Sequence, residues 1–219
     1  PLQTDKLNWI FGPGETRHVG YATAPNLVNR NLTWETATTK NIGLNLSFLS
    51  NRLQTDFDLF ERITTDMIGP SEAKPGVLGA SVPRENNATL RTRGWEMAVR
   101  WKQSFQNQLS YFINLNLYDN KSVVTKYNNP TNTLSTWYNG KEVGEIWGYT
   151  VNDLFRSQEE VDQHLANVDQ SFLHNNWRPG DLKYEDINGD GKLDNGDNTV
   201  DNPGDLSIIG SNSLRYQYG

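Results

Sequence analysis

With 20 basic and 26 acidic side chains among 219 residues, the chain has a net charge of −6 and offers no broad positive field of the kind that draws nucleic acid or anionic lipid. It has no cysteine, which excludes disulfides, zinc–thiolate centres and thiol catalysis. No run of about 18 apolar residues occurs, which excludes a transmembrane helix but not a transmembrane barrel, whose strands need only about 9–11 residues with every second one apolar.

The start at Pro1, without a charged-then-apolar leader, points to a mature product or a piece of a longer chain. Residues 1–40 mix Gly, Pro, Asn and Thr with Trp9, Phe11, Tyr21 and Trp34 and show no sustained period, so they read as loop and short extended pieces. The pattern changes at NIGLNLSF, where Ile42, Leu44, Leu46 and Phe48 alternate with Asn41, Gly43, Asn45 and Ser47. After a tight Ser50-Asn51 turn, Leu53, Phe57, Leu59 and Ile63 alternate with Gln54, Asp56, Asp58 and Arg62. The spacing predicts a hairpin over about 41–68.

GPSEAKPGVLGASVPRENNA cannot sustain a ladder, so residues 69–90 are assigned to a long loop. A second hairpin is predicted over about 91–121. In it Trp95, Met97, Val99 and Trp101 alternate with Glu96, Ala98, Arg100 and Lys102 and, after SFQNQ, Leu109, Tyr111, Ile113, Leu115 and Leu117 alternate with Ser110, Asn114 and Asn116. A longer polar segment follows, about 119–212.

Short turns at one end of the strands and long loops at the other are the rhythm of an outer-membrane barrel more than of a sandwich. Asp56, Asp58, Arg62, Glu96, Arg100 and Lys102 would then line a wet lumen, with Trp95, Trp101 and Tyr111 near the lipid interfaces. A soluble antiparallel sheet with one solvated face gives the same alternation.

Inside the long segment, SQEEVDQHLAN carries a capping box, Ser157 with Glu160, and Val161 and Leu165 could form a short apolar stripe with the preceding Leu154. Further on, DINGDGKLDNGD matches a cation-binding loop of the EF-hand kind. The expected donors are Asp186, Asn188, Asp190, the backbone carbonyl of Lys192, Asp194 and Asp197, with Gly191 at the sharp turn. Asp197 stands where a bidentate Glu is usual, and Pro and Gly in the flanks forbid two long helices. Ca²⁺ in a structural role is the expectation, and an Asx-rich turn that binds nothing is the alternative.

Catalytic signatures are poor: His18, His164 and His174 have no HExxH or His-carboxylate spacing, no GxSxG or phosphate-cradling loop occurs, and the acidic pairs Asp56/Asp58 and Glu159/Glu160 read as a polar strand face and a solvated helix start. Trp137, Tyr138, Trp147, Tyr149 and Trp177 lie in otherwise polar segments. They are candidate substrate or partner contacts, or else the small cores of long loops.

In order, NLTWETATTKNIGLNLSFLSNRLQTDFDLFERITTDMI, TLRTRGWEMAVRW, GEIWGYTVNDLFRSQEEV, RPGDLKYEDINGDGKLD and IIGSNSLRYQYG resemble the SusC/RagA family of TonB-dependent outer-membrane transporters. Ser213-Leu214 departs from the proline expected before the Arg-Tyr pair. The resemblance implies an all-β fold: antiparallel strands of a transmembrane β-barrel with long extracellular loops, one holding a short helix. The chain would supply strands from the latter half of a 22-stranded barrel, without its plug.

It further implies a non-enzymatic role in the bacterial outer membrane, in contact with its lipid. That role is uptake of a glycan or peptide beneath a SusD-like surface lipoprotein, with TonB acting through segments this sequence lacks. The rival reading is a soluble secreted Ca²⁺-binding β-domain for carbohydrate binding or adhesion.

Overall fold

The computed structural model of the chain describes residues 3–10, 16–23, 27–72, 82–106 and 109–219. Strands β1 (Gln3–Ile10) and β2 (Thr16–Thr23) pair antiparallel along their full length as a separate hairpin. The short extended pieces expected there are thus a paired hairpin, a pairing the sequence reading did not foresee. Alternate positions such as Asp5, Leu7 and Trp9 mix a carboxylate with apolar residues, so pairing leaves no period-two signal in the sequence.

The chain then runs through β3 (Thr36–Phe48), β4 (Leu53–Gly69), β5 (Glu85–Ser104) and β6 (Ser110–Lys126), each antiparallel to the one before. Leu49, Ser50 and Asn51, all at positive φ, make the short connection between β3 and β4. The segment after β6 holds β7 (Glu145–Tyr149), β8 (Val151–Leu154), α1 (Gln158–Leu165), β9 (Leu182–Tyr184) and β10 (Leu206–Ser211). Finally β11 (Gln217–Tyr218) returns to pair with β6, which gives a five-stranded sheet in the order β11-β6-β5-β4-β3. The sheet is open, with β3 and β11 at its edges.

Two ladders outrun their predicted limits: β5 begins inside 69–90 and β6 ends inside 119–212. Asn-rich ends read as turns, yet Asn86 serves the sheet by donating Nδ2 to the carbonyls of Thr33 (3.0 Å) and Asp66 (2.6 Å). Part of 69–90 and part of the SFQNQ turn lie outside the described residues.

Register separates the two faces. Across β3, β4, β5 and β6, Phe48–Leu53–Trp101–Ile113, Leu46–Thr55–Val99–Leu115, Leu44–Phe57–Met97–Leu117 and Ile42–Leu59–Trp95–Asp119 form successive rows of one face. These side chains do not close on a second sheet: Ile42 is 76% exposed, Leu44 54% and Ile113 57%. A soluble sandwich would bury such rows against a second sheet, and among the described residues none covers them. An outward apolar face above a polar one is what a barrel wall requires.

The buried residues lie mostly in the long segment. Leu134, Tyr138, Phe155, Val161 and Leu193 are buried there, with Gln170 and Asp205 among them. Helix α1 starts as expected, the Ser157 side chain accepting from the Glu160 amide at 3.3 Å. The Glu160 carboxylate reaches the amide of Arg156 at 3.0 Å, one residue before the cap. Leu154 does not join the predicted stripe: it stands exposed in β8, and Phe155 takes the buried place.

Candidate functional site

The polar face of the sheet carries Asp56, Asp58, Arg62, Glu96, Arg100 and Lys102, brought onto one side by strand alternation. Asn45 donates to Asp56 at 2.6 Å, and Arg100 pairs with the same carboxylate at 3.5 Å. Arg62 donates to the Thr39 hydroxyl at 3.3 Å, and Tyr118 to Gln217 at 2.5 Å. Asp56, Asp58, Glu96, Arg100, Asn116 and Tyr118 line a shallow cavity of about 420 Å³. Carboxylates, a guanidinium, an amide and a phenol in one concave wall can hydrogen-bond a hydrated polar solute from several directions.

The DINGDGKLDNGD loop folds around its own acceptors. Asp186 accepts from the amides of Gly189 (2.7 Å) and Gly191 (2.8 Å), Asn188 from that of Asp190 (2.9 Å), and Asp190 from that of Lys192 (2.9 Å). Gly189 and Gly191 sit at φ +74° and +81°, a conformation that a side chain would strain. Asp194 accepts from the Gly196 amide at 2.7 Å, while Asp197 turns away to accept from Asn202 at 2.9 Å. These are Asx-type turns, a geometry common to a turn that binds nothing and to the first half of a hard-cation loop. The second half is less convergent, and among the described residues no three His, Cys, Asp or Glu side chains are grouped to close on an ion.

The residue that pins this loop is Asp205, fully buried just before β10. Its carboxylate accepts from the amides of Ile187 (2.8 Å), Asn188 (3.4 Å) and Asp194 (2.9 Å). Sequence reasoning missed it. The available signal is a repeat: PGDL occurs at 179–182, entering β9, and again at 203–206, entering β10.

The five candidate aromatics fall into two packed groups. Trp137 tilts against Tyr127, Tyr138 donates its hydroxyl to Glu145, and Trp147 donates Nε1 to the same carboxylate at 2.8 Å. Tyr149 donates to Asn195 and meets Tyr184 edge-on, and Trp177 packs on Tyr184, Phe155 and His174. Tyr138 is buried, and Trp137, Trp147, Tyr149 and Trp177 are half-buried.

Burial opposes ionisation of Glu145, but hydrogen bonds from Tyr138, Trp147 and the Glu142 amide, with the Lys141 charge, hold its carboxyl below the usual range. Burial and the bond to Glu145 push the Tyr138 phenol up to about 12. Desolvation lowers the His164 pKa, opposed by the hydrogen bond to Gln170. Gln170 joins α1 to β9, accepting from the Tyr184 amide at 3.0 Å and meeting His164 Nε2 at 3.2 Å.

The folded loop is tied to the sheet through Arg215, which grips Asp119 of β6 at 2.7 and 2.6 Å in a two-pronged pair. Glu142 adds ion pairs to Lys121 and to Arg215. Sequence reasoning did not select this cluster, whose members lie up to 96 positions apart.

The profile of the family described as TonB dependent receptor-like, beta-barrel, matches residues 7–208. The TonB-dependent receptor SusC of Bacteroides thetaiotaomicron is 25% identical over 190 residues, covering 82% of this chain and 18% of that protein. TonB-dependent receptors P39 and P3 of Formosa agariphila are 23% and 21% identical, covering 95% and 97% of this chain and 23% and 22% of theirs. The chain thus spans about a fifth of the length of the curated relatives it matches.

Among solved structures, the RagAB peptide transporter superposes with a TM-score of 0.52 at 17% identity, over 71% of this chain and 17% of that one. The RagAB peptide importer in the closed-closed state gives 0.52 at 16%, over 99% and 21%. The likeness is one of fold.

Proposed function

Because the chain belongs to the TonB-dependent receptor-like β-barrel family, whose members are receptors and transporters of the bacterial outer membrane and not enzymes, we propose that it supplies consecutive strands and a folded outer loop of a nutrient importer. The cargo is a glycan or a peptide, passed along the polar face and received beneath a SusD-like surface lipoprotein. TonB engages segments outside this chain. One observation carries the reading: the sheet has an exposed apolar face opposite a concave wall of Asp56, Asp58, Glu96 and Arg100. The kinship with SusC and the fold likeness to the RagAB peptide transporter support it.

The folded loop is the vestibule or lipoprotein contact in this reading, with edges of Trp137, Tyr138, Trp147, Tyr149 and Trp177 as its contact surface. Ca²⁺ held by Asp186, Asn188, Asp190, the Lys192 carbonyl, Asp194 and, after a turn of its side chain, Asp197 stiffens it.

Native purification of the intact protein followed by mass spectrometry tests the partnership, and a deletion strain grown on defined glycan or peptide mixtures tests the cargo. A protein that purifies with no surface lipoprotein, from a strain whose deletion grows on every mixture as the parent does, would end the proposal. For the cation, calorimetric titration with Ca²⁺ should give heat in the parent and little in Asp190→Ala. A silent parent rules it out.

A further inference from the structure

The apolar face of the sheet ends in a charged row. Lys40, Glu61, Arg93 and Lys121 stand side by side across β3, β4, β5 and β6, directly after the row that holds Ile42, Leu59 and Trp95. Arg91, opposite Ile63, occupies the next row toward the long loops. Lys121 is matched by Glu142. The Arg93 Nε donates to Glu61 at 2.5 Å, Lys40 stands directly opposite Glu61 in the ladder, and Arg91 lies one row on. Three cations thus share one acid, and two positive charges remain in excess locally, although the whole chain is net negative.

Lys40 and Arg93 also rim a groove of about 320 Å³ over Ile42 and Leu59. Its lining is apolar apart from this charged rim. Depth decides what such a site meets. About ten residues of β5 separate the Gln103–Tyr111 row from Arg93, roughly 33 Å of strand. At the usual tilt this spans about 25 Å, the height of a barrel's apolar band. The Lys40–Arg93 row therefore lies where hydrocarbon gives way to headgroups on the long-loop side.

We propose that Lys40, Arg91 and Arg93 bind the net negative, phosphate-bearing headgroup of a membrane lipid in the leaflet on the long-loop side, with an acyl chain in the groove over Ile42 and Leu59. The chemistry is matched at both ends of the ligand: guanidinium and ammonium for phosphate, aliphatic side chains for the chain. Glu61 orients the Arg93 guanidinium and discourages small anions that bring no apolar anchor. The site rests on the reading that this face of the sheet meets the bilayer.

The test uses the intact barrel protein, delipidated in detergent and examined by native mass spectrometry. Bisphosphorylated lipid A, phosphatidylcholine and inorganic phosphate serve as probes. Each basic residue near a membrane surface is worth about five-fold in binding, so Lys40→Gln/Arg91→Gln/Arg93→Gln should lower lipid A retention on the order of 100-fold. Phosphatidylcholine retention should not change. Lys40→Gln alone, at an exposed position that leaves the β4–β5 pairing intact, should lower lipid A retention about five-fold.

Equal retention of lipid A by parent and Lys40→Gln, or its displacement by millimolar inorganic phosphate, overturns the proposal. A parent that retains neither lipid overturns the membrane-facing reading beneath it, a separate result.

Discussion

Asp205→Asn isolates the chemistry of one carboxylate at constant shape. The parent side chain takes the amides of Ile187 and Asn188 on one oxygen and that of Asp194 on the other, in full burial. An asparagine keeps a single acceptor oxygen and turns an NH₂ group toward whichever amide remains. One charge-assisted hydrogen bond is lost and a buried N–H is left facing another donor. Hydrogen bonds to charged groups are worth about 1.5–3 kcal/mol, and an orphaned buried donor costs about 1–3 kcal/mol, so roughly 3–5 kcal/mol of local stability should go.

The strands hold the barrel regardless, so the loss should appear as local opening. Hydrogen exchange of the intact protein, read on peptides covering 186–194, should quicken by at least about 100-fold, the factor that roughly 3 kcal/mol implies. Exchange over β4 and β5 should stay as it was. Unchanged protection of 186–194 in Asp205→Asn would refute the claim that this carboxylate organises the loop.

A Cβ on Gly94 would come within 2.5 Å of the Phe60 ring and 2.7 Å of the Asp119 carbonyl. Gly94→Ala should therefore cost about 1–3 kcal/mol through overpacking, seen as a lower temperature for loss of the folded band in heat-modifiable electrophoresis. Removing Arg215 leaves the Asp119 carboxylate without its partner in a buried position. Arg215→Leu alone should thus destabilise the loop attachment more than Arg215→Leu with Asp119→Leu, as a double-mutant cycle on proteolytic release of the loop would show.

The pH dependence of the loop has one sign. His164 is held below its ordinary 6.5, so its contribution is whole above that value and is lost as pH falls through the folded pKa. Glu145, held below 4.5, adds a further loss only in stronger acid. The near-ultraviolet melting temperature of the loop should drop on going from pH 7 to below 6 in the parent and stay flatter in His164→Gln.

The two long hairpins are legible because lipid on one side and water on the other write a period of two into each strand. Ile42 to Phe48 and Trp95 to Trp101 read without ambiguity for that reason. The hairpin of β1 and β2 is silent, since its alternate positions mix polar and apolar residues and only backbone pairing defines it.

Among the loop features, the Ser157 cap and the DINGDGKLD turns are local chemistry and show in consecutive residues. Asp205 and the Arg215–Asp119 pair are not local. A single Asp in a polar segment looks like any other until the fold brings three amides to it, and a contact between residues 119 and 215 has no local trace.

The sheet and the folded loop therefore draw stability from different sources. Membrane-face side chains of β3 and β6 stay exposed in this chain, and their burial has to come from lipid or neighbouring strands. The loop instead encloses Phe155, Val161 and Leu193 and satisfies its turns with Asp186, Asp205 and Gln170. A segment that encloses its own core needs only attachment to the wall, which the backbone bonds of Val124 to Lys141 and of Val143 to Ser122, Ser213 bonded to the Val143 carbonyl at 2.7 Å, and the Arg215–Asp119 pair provide. That division lets the loop keep its shape whatever surrounds the strands, and in the proposed importer it leaves the polar face of the sheet to the solute.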